Sequence, residues 1–136
     1  MITNNILELR KIKECRDALK EREIELVEPT LGDTSLLQAI HTIIKQEYSK
    51  NKRLHRYDEK EYFIAIIIFL YSPKSYMGDK VRVGIRDGIA KVLDTSPARV
   101  SNIFRIVREW IIIYTEFRRG VEYLYSKVLD KLQYGV

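Results

Sequence analysis

A single cysteine, Cys15, excludes an intramolecular disulfide and makes a reducing cytoplasm the expected compartment. Histidine is nearly as scarce: His41 and His55 are the only two, and neither shares with Cys15 a spacing that builds a zinc site. No glycine-rich loop is placed to cradle a phosphate, because Gly84 and Gly88 fall within an expected helix, where they permit close packing. Asp87 and Asp94 read as a surface charge and a turn residue rather than a catalytic pair, and no nucleophile stands beside a base. The expectation is therefore a protein that is not an enzyme, with no metal and no cofactor. No signal peptide is visible, and the longest apolar run, Phe63 to Leu70, is far shorter than the roughly 20 residues a membrane helix needs.

What is present suits one helical domain. Hydrophobic residues make up 46% of the 136, enough for a substantial core, and the net charge of +5 is compatible with a polyanionic partner. The charge is uneven. Residues 1–33 hold six Lys or Arg against eight Asp or Glu, while residues 34–136 hold eighteen against eleven. The chain thus divides into an acidic N-terminal helix and arm, 1–33, and a basic helical domain, 34–136, and a nucleic-acid footprint belongs in the second part.

Periodicity predicts helix almost throughout. Residues 4–22 form a charged helix with Ile6, Leu9, Ile12 and Leu19 on one side, and Glu23 to Glu28 admits a short strand or an extended arm. After the break at Pro29 to Asp33, Thr34 or Asp33 caps a second helix with Leu37, Ile40, Ile44 and Tyr48 inward, followed by a basic loop from Ser49 to Tyr57. Asp58 with Glu61 is a capping-box start for a third helix, Glu59 to Tyr71. Its interior is apolar on every side, which places it at the centre of the fold. Ser72 to Lys80 is a loop. Lys80 to Gly84 admits a short strand, but Val81, Ile85, Ile89 and Val92 share helical spacing, so a helix from Val81 is preferred.

A further helix follows almost at once, with Thr95, Ser96 and Pro97 at its start. Val100, Ile103, Phe104 and Val107 form its apolar face. Two helices joined so tightly need a small residue where they cross, and Ala90 occupies that place. The stretch Arg86 to Arg105 resembles the helix-turn-helix families of bacterial and phage regulators, over about residues 81–108. The resemblance makes Ile89, Ala90, Leu93, Val100 and Ile103 the motif core. Its departures are Asp94, where such families place a left-handed glycine, and Thr95, where they prefer an apolar residue. It implies double-stranded DNA as the partner, with the second helix in the major groove and Ala98, Arg99, Ser101, Asn102 and Arg105 facing the bases. Lys74, Lys80, Arg82, Arg86 and Ser96 are the expected phosphate contacts. Arg99 sits where a cation opposes the helix dipole, and contact with a phosphate or base would explain it.

The same helix is expected to run nearly to the C-terminus. Val100, Val107, Tyr114, Val121 and Val128 repeat every seven residues, Phe104, Ile111, Tyr125 and Leu132 supply most of a second set, and Gly120 bends or interrupts the run. Residues 106–132 are expected to form an oligomerisation helix, and a homodimer would present two recognition helices to a palindromic site. The sequence therefore predicts an all-α bundle of five or six helices with a helix-turn-helix and a long C-terminal helix. Its expected function is sequence-specific DNA binding, as a transcriptional or mobile-element regulator in a bacterial or phage setting. The alternative is an all-helical phage assembly or packaging protein of small-terminase or head-completion type, using the same helices for protein contacts or non-specific DNA binding.

Overall fold

Every large apolar side chain of the central helix but one is buried, and the remaining elements are arranged to cover them. The computed structural model describes residues 1–133 and is all-helical over them, so the last three residues of the expected 34–136 domain lie outside the described residues. The six helices are α1 (Ile2–Leu26), α2 (Leu37–Lys50), α3 (Glu59–Tyr71), α4 (Ile85–Leu93), α5 (Pro97–Ile113) and α6 (Thr115–Gln133). Among the described residues, no helix is long and apolar enough to cross a membrane.

α3 begins where the sequence places it. Asp58 accepts from the Lys60 amide and Glu61 returns a bond to the Asp58 amide, a reciprocal cap. Tyr62 to Ile68, Leu70 and Tyr71 are buried, and only Phe69 among its apolar residues is exposed. α2, α4, α5 and α6 pack around α3. The Tyr62 ring stacks on Phe117 of α6 at 5.1 Å between centroids, and the Tyr76 hydroxyl donates to the Ala65 carbonyl at 2.6 Å.

Four expectations change. Residues 23–28 are neither strand nor extended arm: α1 stays helical to Leu26, supported by an Arg22–Glu25 pair one turn apart. The basic loop is shorter than expected, since Ser49 and Lys50 belong to α2 and Lys52 to Arg56 form a 3-10 turn. α4 starts at Ile85 rather than Val81. Val81 does pack inward, but from non-helical backbone, and Gly84 caps α4 at φ 89°, a conformation that suits glycine. Gly88 alone fills the packing role foreseen for both glycines: a Cβ there would lie 2.7 Å from Leu37 Cδ1.

The fourth change is the expected continuous C-terminal helix. The chain leaves the helical conformation at Tyr114 (φ −104°, ψ 108°), not at Gly120, and restarts as α6. A straight continuation would carry Phe117 away from α3; the break returns Phe117, Leu124 and Val128 to the core. Tyr57, Trp110, Tyr114 and Phe117 form linked aromatic pairs around this corner. Gly120 sits inside α6 against the Tyr62 ring, which a Cβ there would meet at 2.7 Å. The sevenfold series is spent largely within the chain, with Val100, Phe104, Val107 and Val128 buried. Ile106, Ile112, Ile113 and Tyr114 are what the expected oligomerisation segment leaves exposed.

Candidate nucleic-acid interface

The turn between α4 and α5 depends on one left-handed residue. Asp94 adopts φ 54°, ψ 54°, a left-handed conformation that ordinarily favours glycine. With the chain so turned, the Thr95 amide donates to the Ala90 carbonyl at 2.9 Å and the Asp94 amide to the Lys91 carbonyl at 3.3 Å, closing α4 with a Schellman pair. α5 opens two residues later: Ser96 Oγ accepts from the Arg99 amide at 3.1 Å and Pro97 takes the first helical position. Ile89, Ala90, Leu93 and Val100 are buried across this junction, and Ile103 is half-buried against the core.

Burying Val100, Phe104 and Val107 fixes which face of α5 is left outward. Ala98, Asn102 and Arg105 lie along it at helical spacing and are exposed, with Arg99 exposed to one side and Ser101 half-buried on the other. Arg105 Nη2 donates to Asn102 Oδ1 at 3.2 Å, and Arg86 Nη1 reaches Ser101 Oγ at 3.4 Å. All five residues expected to face bases therefore fall on one outward surface.

Beside that surface runs a cleft of about 600 Å³ between the segment Asp79 to Asp87 and the flank of α5. Lys80, Arg82, Arg86, Arg105 and Arg108 line it, against the two carboxylates Asp79 and Asp87. The cations outnumber the acids in a partly enclosed space, which concentrates positive potential there. The expected phosphate contacts are not equivalent. Lys80 and Arg86 line the cleft; Arg82 also lines it but donates to the Gly32 carbonyl at 3.2 Å. Lys74 is paired with Asp79 at 3.3 Å, and Ser96 is engaged as the cap of α5, its hydroxyl proton still available for donation.

Arg108, with its guanidinium carbon 5.9 Å from the Phe104 ring centre, is the residue that sequence reasoning missed. Its signal was the spacing of Ser101, Arg105 and Arg108, one stripe along a single helix flank. Among the described residues no group of three histidine, cysteine or carboxylate side chains gathers to hold a metal. No protein-family model, curated protein or solved structure matches the chain.

Proposed function

We propose that this chain binds double-stranded DNA, with the N-terminal half of α5 in the major groove and the cleft along the phosphates beside it. The observation that carries the reading is the adjacency of two surfaces: an outward row of base-competent side chains on α5 and, sharing Ser101 and Arg105 with it, a cleft with five cations. Arginine pairs with guanine and asparagine with adenine through two hydrogen bonds each, and Ala98 leaves room for close approach. Lys80, Arg86 and Arg108 supply charge without sequence information. A small regulator of transcription or of a mobile element is the role that such a surface fits.

Binding to a randomised duplex pool at two salt concentrations tests this. Asn102→Ala and Arg105→Ala lower the preference between sequences, whereas Lys80→Ala and Arg108→Ala weaken all duplexes alike and reduce the salt slope by about one each. Absence of duplex binding at low salt overturns the proposal. A second reading, an assembly or DNA-packaging protein, draws on the exposed apolar end of α5, where Ile112 and Ile113 are 70% and 63% accessible. A closed ring of many copies in solution supports that reading and a dimer supports the regulator.

A further inference from the structure

α1 is 25 residues long, about 37 Å at 1.5 Å per residue, and none of its residues is buried. It has no side-chain cap, no acid in its first turn and no base in its last. Most of its large aliphatic residues nevertheless fall on one seam, with Ile6, Leu7 and Ile24 off it. Counted in sevens from Ile2, positions a are Ile2, Leu9, Arg16 and Glu23, and positions d are Asn5, Ile12, Leu19 and Leu26. Five of the eight are large aliphatics, and all five are exposed.

A groove receives the C-terminal half of this seam. Leu19, Glu23 and Leu26 form one wall, and Phe69, Met77 and Tyr125 of the bundle stand opposite, around a volume of about 770 Å³. The linker that follows α1 is tied to α3: the Leu31 amide donates to the Leu70 carbonyl at 3.0 Å and the Tyr71 hydroxyl to the Asp33 carbonyl at 2.6 Å.

We propose that two copies of this chain pair through antiparallel α1 helices, the N-terminal half of each lying in the apolar groove of the other. The charges choose the occupant and its direction. A parallel pair would set Arg16 against the partner's Arg16 and Glu23 against the partner's Glu23 inside the seam. The antiparallel pair sets Ile2 against the partner's Leu26, Leu9 against the partner's Leu19, Arg16 against the partner's Ile12 and Glu23 against the partner's Asn5. Arg16 then lays its aliphatic stem over isoleucine and sends its charge to water. Along the flank Glu8 meets the partner's Arg22, twice by symmetry, and Cys15 meets the partner's Cys15 at the two-fold axis. Against those two attractive pairs stands one exposed like-charged contact, Lys13 with the partner's Lys13.

Sedimentation equilibrium on the full chain under reducing conditions tests the pairing, independently of DNA binding. The expected result is a dimer whose dissociation constant rises about a hundredfold in Leu9→Glu or Leu19→Glu, which occupy one shared layer. Circular dichroism keeps the bundle's signal in both, because α1 contributes no buried residue. Glu8→Arg and Arg22→Glu each weaken the dimer by roughly tenfold, and an equimolar mixture of the two single variants restores it, since each then faces its opposite. Mild oxidation links native chains through Cys15, and Cys15→Ser remains dimeric but unlinked. A monomer at about 100 µM, an oligomer indifferent to Leu9→Glu, or single variants that fail to rescue one another would each overturn the proposal. So would a monomer whose groove takes up a small apolar dye.

Discussion

α1 and α3 are both regular helices, and they are held by opposite means. α3 packs nine buried residues into 13 positions, many of them isoleucines, whose branched side chains form helix reluctantly. α1 has no buried residue in 25 and is built mostly from Leu, Lys, Glu and Arg, which form helix readily. Packing sustains α3 and local preference sustains α1. A change in α3 is therefore felt by the whole molecule, and a change in α1 is felt by whatever α1 meets.

The sharpest way to break that contrast is to make the same substitution in each. Ile67→Ala, at a fully buried position, is expected to lower unfolding free energy by about 3–4 kcal/mol, from lost transfer energy and the cavity left behind. Ile12→Ala, at an exposed one, changes it by less than about 0.5 kcal/mol at concentrations where the chain is monomeric. Urea unfolding of the two variants measures both, and similar losses would show that α1 is part of the folded core.

Two glycines sharpen the comparison on the buried side. A methyl at Gly120 would meet the Tyr62 ring, itself buried and stacked on Phe117, so the ring has nowhere to go. Gly120→Ala is expected to cost about 1–3 kcal/mol despite alanine's better helix preference. At Gly88 the obstacle is the tip of Leu37, which can change rotamer, and Gly88→Ala is expected to stay within about 1 kcal/mol of the native chain. Thermal melts that ranked the two the other way would show that α6 sits less tightly on α3 than the Tyr62 contact implies.

A smaller effect is expected at the turn, where Asp94→Gly removes the left-handed strain and stabilises the chain by up to about 1 kcal/mol, read from the urea midpoint. Loss of stability there would mean that the Asp94 carboxylate does more than tolerate its backbone. The turn was legible because Ser96 and Pro97 mark the helix start and Asp94 is one of the few non-glycine residues suited to its conformation. The limits of α3 were legible for the same local reason, the Asp58 and Glu61 cap. The start of α4 was not, because Val81 carries the helical spacing and does face inward, yet on non-helical backbone. The break at Tyr114 was hidden similarly: each helix keeps its own apolar rhythm, and a one-residue interruption leaves the sevenfold series intact. The cleft could not be read at all, since its two walls, 79–87 and 101–108, meet only through tertiary packing.

The last contrast concerns pH, where α3 meets α2. The His41 ring is buried against Phe63, and one ring nitrogen lies 3.0 Å from Glu59 Oε1. Burial pushes His41 below its ordinary value of 6.5; Glu59 opposes this and Lys45 and Lys60 reinforce it. The unfolded chain therefore binds a proton at His41 before the folded one does. Its contribution is complete above the ordinary histidine range and falls as pH drops through that range toward the lower folded value. Glu61, raised by burial, has the opposite sign but titrates nearer the carboxylate range. Urea midpoints at about pH 7.5 and pH 5.5 separate the two. The native chain loses stability between them and His41→Gln loses less, while an unchanged difference would mean that protonated His41 is accommodated beside Glu59 without disturbing α3. α1 contains no histidine, so the His41 effect has no counterpart there.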